Sequence, residues 1–339
     1  MLFEAAQPRR QHVAGCAGEG LDAVESTLAE RDLSQHQQTP PLAEHLESRR
    51  DGTVPGSDGG GRHGVSTPAR PAPDRVSWEF LLTRMVLPDG EAAIAAARRT
   101  GVPTMTSLHG AVVLVTGANG GLGSEFVAQA LARGASKVYA AARRPKEWGD
   151  ERIVPLVLDV NDAESIAAAV EAAQDVTVLI NNAGVSGASH SLLELSAQEL
   201  RDVMETNFFG PVLLATAFAP RLSAAEGAAI IDVHSALSWY AVAGGYSASK
   251  AALWSATNSL RLELAPQGVH VLGLHVGYID TPMAAGAEGP KASPVDVVGQ
   301  AYDGLEAGAF EVLADETSRQ VKSGLTAPFE AVYPQLAGV

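Results

Sequence analysis

The stretch Tyr246-Ser247-Ala248-Ser249-Lys250 carries two side chains whose types and spacing suit acid–base chemistry. Residues four positions apart lie on one face of a helix, so the phenol and the ammonium are expected to be neighbours. A free tyrosine has a pKa near ~10 and is a poor acid–base catalyst at neutral pH. A lysine ammonium within about 4–6 Å favours the phenolate and lowers that pKa. The pair alone is weak evidence, because the same spacing occurs on many helices without function.

A glycine-rich segment upstream has the pattern of a phosphate-binding turn. It reads Thr116-Gly117-Ala118-Asn119-Gly120-Gly121-Leu122-Gly123 and follows an apolar run at 111–115 that is typical of a strand buried on both faces. Apolar residues then recur at helical spacing up to Gly134, which can end the helix. A helix N-terminus offers free N–H groups and positive potential to a phosphate, and glycines allow close approach. The segment therefore predicts a nucleotide site.

Three motifs in this order resemble those of the short-chain dehydrogenase/reductase family. They are the Thr-Gly-x-x-x-Gly-x-Gly turn, the segment Asn181-Asn182-Ala183-Gly184, and the Tyr-x-x-x-Lys pair. The resemblance covers about residues 108 to 320. It implies a doubly wound parallel sheet, a nicotinamide dinucleotide cofactor, and redox chemistry between carbonyls and alcohols.

The resemblance assigns adenosine contacts to two places that follow apolar strands. Asp159 is similar to the family aspartate that contacts the adenine, and Val160 would supply a neighbouring backbone contact. Asp159 could instead cap the next helix, although Asn161 or Asp162 is better placed for that role. The Asn-Asn-Ala-Gly turn would close over the adenosine ribose.

The nicotinamide side is expected near Gly277 and Thr281. The family pattern there is Pro-Gly followed by a threonine, and this chain departs from it with Val276 in place of the proline. The complete set of expected cofactor contacts is Thr116, Gly117, Asn119, Gly120, Gly121, Leu122, Gly123, Arg143, Arg144, Asp159, Val160, Asn182, Ala183, Gly184, Tyr246, Lys250, Gly277 and Thr281.

The end of the second predicted strand bears on the choice between NADP and NAD. An acidic residue there would accept the ribose hydroxyls of NAD, but Ala142 occupies the place and Arg143 and Arg144 follow. Two guanidinium groups could grip a 2′-phosphate. NADP(H) is therefore the expected cofactor. A solvated basic turn is the alternative, and it would leave NAD(H) possible.

The catalytic residues implied by the resemblance are Asn207, Ser235, Tyr246 and Lys250. Ser235 would bond the substrate oxygen, Tyr246 would transfer the proton, and Lys250 would also hold the nicotinamide ribose. The carboxamide of Asn207, or a local helix irregularity, would hold a water that relays protons to Lys250. The loop from Ser235 to Tyr246 is shorter than is usual in the family, so Ser238 is a competing candidate.

His234 beside Ser235 invites comparison with hydrolases, in which a histidine activates a serine. No Gly-x-Ser-x-Gly elbow surrounds Ser235, and neighbours on a strand point to opposite faces. We therefore expect His234 and His275 to be packed strand residues. The nine histidines form no ligand pattern, so no metal site is expected.

Composition limits the classes of protein. The chain has 339 residues and a net charge of −15, which argues against nucleic acid or an anionic membrane surface as a partner. Cys16 is the only cysteine, which fits a reducing compartment, and no apolar run reaches the length of a membrane span. A cytoplasmic location is expected.

Two regions of unequal character are expected. Residues 1–104 are of low complexity and read as a largely disordered extension, and 105–339 read as the catalytic domain. Because Met105 leads directly into the first strand, the extension could reflect a misplaced start codon. A regulatory or interaction tail is the alternative, and N-terminal sequencing of protein from the native host would decide.

From residue 108 onward, strands alternate with helices, which predicts a single Rossmann-like α/β domain with a doubly wound parallel sheet. Strands are expected near 111–116, 137–142, 153–158, 176–181, 229–234, 269–275 and 311–314. Helices are expected near 122–133, 163–173, 197–223, 246–265 and 294–307.

The sequence thus predicts an NADP-dependent oxidoreductase that interconverts a small neutral carbonyl and its secondary alcohol. The substrate loops are expected at 186–192, 236–245 and 283–292. In the family, the helices near 197–223 and 246–265 commonly build a two-fold interface, so a homodimer or homotetramer is expected. A non-catalytic NADP-binding sensor or scaffold on the same fold is the alternative.

Overall fold

The computed structural model describes residues 106–336. The predicted extension at 1–104 and its possible start at Met105 lie outside the described residues. Within residues 106–336, no helix has the combination of length and apolar character needed to cross a bilayer.

A seven-stranded parallel sheet forms the centre of the described part, with strand order β3-β2-β1-β4-β5-β6-β7. The order reverses direction between β1 and β4, where open α/β sheets bind ligands beyond the carboxyl ends of the strands. The strands are β1 Val112–Thr116, β2 Lys137–Ala142, β3 Ile153–Val157, β4 Val178–Asn181, β5 Ala229–Val233, β6 His270–His275 and β7 Glu311–Leu313. All seven predicted strands are confirmed.

The helices lie between and after the strands. They are α1 Gly121–Ala132, α2 Ala163–Ala172, α3 Ala197–Met204, α4 Gly210–Leu222, α5 Gly244–Leu264, α6 Pro294–Glu306, α7 Glu316–Gly324 and α8 Phe329–Val332. Short 3₁₀ turns occur at Ala236–Ser238, Ala265–Gln267, Pro282–Ala284 and Pro334–Leu336.

Helices cover both faces of the sheet. α1 and α6 pack over one face, which carries Val115 and Ile231, and α2 and α4 pack over the other, which carries Leu114 and Ile230. Successive strand residues point to opposite faces, so a run without polar residues supplies both layers. Burial of each such side chain contributes about 1.5–3 kcal/mol.

The structure differs from the predicted helices in two places. The region predicted as a helix at 197–223 is helical throughout 197–222, but a π-helical segment, Glu205–Phe209, separates α3 from α4. The helices α7 and α8 were not predicted, because their short, polar sequences give little apolar periodicity. Both differences lie next to the candidate site.

Candidate active site

The glycine-rich turn leaves β1 and opens α1 in a conformation that requires glycine. Gly117 and Gly121 have φ values of 66° and 52°, a region that side chains disfavour. A Cβ on Gly123 would stand 2.2 Å from the Gly117 carbonyl oxygen. No side chain caps the start of α1, so its first N–H groups have no side-chain partner at the N-cap.

Thr116 connects this turn to the end of β4. Its buried Oγ1 accepts hydrogen bonds from the backbone N–H groups of Asn182 and Ala183, both at 3.0 Å. The Asn182 carboxamide in turn donates to the Thr116 carbonyl oxygen at 2.8 Å. The side chains of Thr116 and Asn182 therefore hold the two turns together through hydrogen bonds within the protein.

Asn119 connects the glycine-rich turn to the loop after β2. Its Nδ2 donates to the Arg144 carbonyl oxygen at 2.7 Å, and its Oδ1 accepts from the Lys146 backbone N–H at 3.2 Å. The Lys146 ammonium donates to the Asn119 carbonyl oxygen at 3.0 Å and lies 4.0 Å above the Trp148 ring. The sequence analysis did not include Lys146 among the candidate cofactor contacts. Its position two residues after Arg144 was the signal that could have identified it.

A cleft of about 640 Å³ opens between these turns. Its lining includes ten of the predicted site and flanking residues: Thr116, Gly117, Asn119, Ala142, Arg143, Arg144, Asp159, Val160, Ala183 and Gly184. Neither guanidinium forms an ion pair with an acidic side chain of residues 106–336. Both are exposed, so the mouth of the cleft carries uncompensated positive charge.

The structure separates the two possible uses of Asp159. Asp162 caps α2 by accepting a hydrogen bond from the Glu164 N–H at 2.9 Å. Asp159 instead accepts from the Asn161 N–H at 3.0 Å and lines the cleft beside the buried Val160. The helix-capping alternative for Asp159 is therefore wrong.

Gly277 and Thr281 lie in different surroundings. Thr281 packs against the glycine-rich turn, with its Cγ2 3.4 Å from the position of a Cβ on Gly121. A Cβ on Gly277 would stand 2.8 Å from the Thr317 Cβ, and the Gly277 N–H donates to the Asp315 carboxylate. The structure therefore brings Thr281 to the cofactor side, whereas Gly277 permits the close packing of the start of α7.

Ser235 follows β5 and opens the 3₁₀ turn Ala236–Ser238. Its Oγ accepts from the Leu237 N–H at 3.1 Å, which leaves its own hydrogen free to donate. The Ser238 Oγ instead accepts from the Ser235 N–H at 3.3 Å. The Ser235 hydroxyl also contacts the Tyr246 phenol. The geometry favours Ser235 over Ser238 as the partner of Tyr246.

Lys250 is buried one turn along α5 from Tyr246, with its Nζ 5.9 Å from the centre of the Tyr246 ring. The ammonium donates to the Val233 carbonyl oxygen at 2.8 Å. Burial lowers the pKa of Lys250 from 10.5 to about 8, and the nearby Asp232 carboxylate opposes that change.

The expectation that Lys250 lowers the pKa of Tyr246 is wrong for this arrangement. Burial raises the pKa of Tyr246, and the Ser235 hydroxyl only partly opposes the rise. The reason is that the Lys250 ammonium is directed at the Val233 carbonyl and is itself desolvated. Tyr246 is therefore a neutral phenol in this arrangement.

Asn207 lies at the centre of the π-helical segment and is fully buried. Its Oδ1 accepts from the Val185 N–H at 2.8 Å, while Nδ2 donates to the Val185 carbonyl at 2.8 Å and to the Ser249 Oγ at 3.0 Å. Both Nδ2 hydrogens are therefore in use, and one acceptor position of Oδ1 is left. A Cβ on Gly184 would lie 3.2 Å from the Asn207 Oδ1 and 3.8 Å from the Lys250 Nζ. The absence of that atom leaves room between the two side chains.

A buried carboxylate under Lys250 was not assigned a role from the sequence. Asp232 on β5 is fully buried and accepts hydrogen bonds from the Asn181 Nδ2 at 2.8 Å and the Thr257 Oγ1 at 2.6 Å. Burial raises its pKa, and these bonds oppose the rise. One acidic residue inside the apolar run Ala229–Val233 was the signal that could have identified it.

His234 and His275 are both packed in the interior, as predicted; His275 ends β6, whereas His234 lies one residue beyond the end of β5. Their rings stack at a centroid distance of 4.8 Å, and Trp239 stacks on His275 at 4.0 Å. Burial lowers the pKa of both histidines. Among residues 106–336, no group of three or more His, Cys, Asp or Glu side chains could hold a metal ion.

Comparison with known proteins places this arrangement in a family. The family model for short chain dehydrogenases matches residues 111–291. A short-chain dehydrogenase of Penicillium crustosum is 36% identical over 184 residues, which are 50% of this chain and 66% of that protein, slightly under two thirds of its length. An NADPH-dependent 1-acyldihydroxyacetone phosphate reductase of Schizosaccharomyces pombe is 30% identical over 239 residues, 67% of this chain and 78% of that protein.

A solved structure gives the same result. A short chain dehydrogenase from Burkholderia cenocepacia, crystallised in complex with NADP, is 37% identical with a TM-score of 0.64. The match covers 68% of this chain and 99% of that one. The fold, the ordered motifs and the family match agree, and the chain belongs to the short-chain dehydrogenase family of oxidoreductases.

Proposed function

We propose that this protein is an NADP-dependent oxidoreductase that reduces a small neutral carbonyl or oxidises the corresponding secondary alcohol. The observation that carries the proposal is the convergence of Ser235, Tyr246 and Lys250 at the carboxyl end of β5, beside a cleft whose turn requires glycine. Ligands of open α/β sheets bind at this edge.

The cleft fits a dinucleotide. The α1 N-terminus, with no side-chain cap, would hold the pyrophosphate, and Gly123 allows the turn to pack closely on α1 at that point. Asp159 and Val160 would meet the adenine, and Thr281 would meet the carboxamide of the nicotinamide. When bound, the nicotinamide supplies or accepts the hydride.

The proton chemistry falls to Tyr246. In reduction, its neutral phenol donates a proton to the carbonyl oxygen, which matches the raised pKa. The free hydrogen of the Ser235 hydroxyl stabilises the charge that develops on that oxygen. In the oxidation direction, both groups act in reverse.

Replacement of the donated proton falls to Lys250, whose pKa of about 8 lies close enough to neutrality for exchange. Both Asn207 Nδ2 hydrogens are donated within the protein, so that side chain can only accept from a relay water, through the remaining position of Oδ1. We assign the water to a backbone carbonyl of the π-helical segment, with Oδ1 as its second acceptor. The space left by Gly184 between Asn207 and Lys250 supports a water at this point.

Preference for NADP(H) rests on the unpaired guanidinium groups of Arg143 and Arg144 at the cleft, with Lys146 as a third cation. NAD(H) remains usable, because the other contacts do not involve the 2′-phosphate. The NADP in the Burkholderia cenocepacia structure supports the same preference.

A two-fold homo-oligomer is part of the proposal. Three apolar side chains on α4, α5 and the π-helical segment are exposed: Phe209, Leu213 and Leu262. Apolar groups on neighbouring helices are typical of an isologous interface. Native mass spectrometry of the full chain tests this, and a monomer at all concentrations would contradict it.

The alternative, a sensor or scaffold without turnover, is tested by Tyr246→Phe with Tyr139→Phe as the matched control. The Tyr139 hydroxyl binds Asp175 on the far side of the sheet. We expect Tyr246→Phe to abolish NADPH oxidation with the ketone acetophenone while NADPH binding stays within about twofold. Turnover that survives in Tyr246→Phe would refute the assigned role.

A further inference from the structure

The loop at 236–245, called the substrate loop below, joins Ser235 to Tyr246 and borders the substrate. It is contacted from outside the sheet by residues 316–336, called the C-terminal segment, which comprise α7, α8 and the turn Pro334–Leu336. The contacts fall on three successive loop residues, Trp239, Tyr240 and Ala241.

The first contact is a sandwich around Trp239. Its ring stacks on the His275 ring of β6, with a centroid distance of 4.0 Å and an angle of 17° between the ring planes. The ammonium of Lys322, a residue of α7, lies 4.3 Å from the centre of the Trp239 ring. Lys322 is fixed there by an ion pair with Glu311 at 2.9 Å. A cation above an indole is the most favourable cation–π arrangement, so α7 holds the start of the loop against the sheet.

The second and third contacts both come from Tyr333. Its ring stacks on Tyr240 at 5.2 Å and 22°, and its hydroxyl oxygen accepts a hydrogen bond from the Ala241 N–H at 3.1 Å. Phe329 packs on Tyr333 as well, with 4.8 Å between the ring centres. One side chain therefore fixes both the aromatic ring and the backbone at the middle of the loop.

The position of α8 argues that these contacts serve the loop rather than the core. α8 has four residues and none of them is buried, and Phe329 is 61% exposed. So short a helix is not stable by itself, and it contributes no core burial. Its one aromatic side chain, Phe329, packs on Tyr333, the residue directly after α8 that contacts the substrate loop.

We propose that the C-terminal segment holds the substrate loop in its working conformation, with Tyr333 and Lys322 as positioning residues for substrate binding. The inference rests on the proposed carbonyl–alcohol function for its effect on turnover. The contact itself does not depend on that function. If the loop already has its binding conformation in the free protein, the entropy cost of ordering the loop is not incurred when the substrate binds.

The test uses the full chain with Tyr333→Phe, Tyr333→Ala and Lys322→Met. Tyr333→Phe keeps the ring stack and removes only the hydroxyl, so it remains informative if Tyr333→Ala folds poorly. The matched controls are Tyr139→Phe, which makes the same chemical change on β2, and Gln320→Met on α7, whose side chain bonds only Glu316.

Hydrogen–deuterium exchange of peptides covering 236–245 decides the proposal without any substrate. We expect exchange at Ala241 to become about fivefold faster in Tyr333→Phe, and faster still in Tyr333→Ala, because the amide loses its acceptor. The controls should exchange as the wild type does. Unchanged exchange of this loop in Tyr333→Ala would overturn the proposal.

Kinetics separate positioning from simple destabilisation. With NADPH and acetophenone, we expect KM to rise roughly fivefold in Tyr333→Ala with kcat changed less than about twofold and NADPH affinity unchanged. A merely structural role would lower the amount of active enzyme and leave KM alone, which would contradict the proposal. Failure of the wild type to bind NADPH would instead refute the proposed function.

Discussion

Replacing Lys250 by methionine should make the protein inactive and more stable at neutral pH. The lysine is buried on α5, and burial lowers its pKa from 10.5 to about 8. A shift of this size corresponds to about 3 kcal/mol of unfavourable free energy in the folded state while the group is charged. Methionine fills nearly the same volume without a charge.

Two losses reduce the expected gain. The Val233 carbonyl oxygen loses the hydrogen bond from Lys250, which costs about 1 kcal/mol, and Asp232 loses a nearby positive charge. The net stabilisation at pH 7 should therefore be about 1–2 kcal/mol, or roughly 2–8 °C in Tm for a domain of this size.

The pH dependence gives the sharper signature. Because the folded pKa lies below the unfolded value, the unfolded chain binds more protons between about pH 8 and pH 10.5, and stability rises with pH across that window. The wild type should regain about 2 kcal/mol between pH 7 and pH 9.5 through Lys250, and Lys250→Met should not.

Urea unfolding of both proteins at pH 7 and pH 9.5 measures this directly, with Lys291→Met as the control for loss of a lysine that is only partly buried. The difference between Lys250→Met and the wild type should shrink by about 2 kcal/mol at the higher pH. A difference that is independent of pH, or a marked destabilisation at pH 7, would refute the reasoning about the buried ammonium.

Three further predictions concern the cofactor and the catalytic serine. Gly123→Ala should abolish NADPH binding because its Cβ would stand 2.2 Å from the Gly117 oxygen, whereas Gly149→Ala, which meets no atom within 4 Å, should bind normally in a fluorescence titration. Lys146→Met should weaken NADPH binding about threefold and leave NADH binding unchanged; equal losses for both would remove Lys146 from phosphate recognition. Ser235→Ala should lower kcat by about 10²-fold or more and Ser238→Ala by much less, and the reverse order in steady-state assays would exchange their roles.

Much of the fold was predictable because its signals are local. The apolar strands and the glycine-rich turn gave the parallel sheet and the position of α1, since a strand buried on both faces leaves an uninterrupted apolar run. The chemical identity of the site also followed from sequence order, as Ser235, Tyr246 and Lys250 prove to lie at one edge of the sheet.

What could not be predicted depends on contacts between distant residues. The family resemblance offered a local helix irregularity at Asn207 as one alternative, but the residues themselves did not predict the π-helical segment, because it has no sequence period of its own. The direction of the Tyr246 pKa shift depends on burial and on where the Lys250 ammonium points. The contact of Tyr333 with Ala241 joins residues 92 positions apart, and nothing in either local sequence announces it.

The measurement that tests the central claim most directly is a fluorescence titration of the full chain with NADPH and with NADH. The account predicts saturable binding of both, with NADPH bound about tenfold or more tightly, because Arg143 and Arg144 face the cleft without acidic partners among the described residues. Binding of neither dinucleotide by folded protein would contradict the claim that this cleft is a working cofactor site.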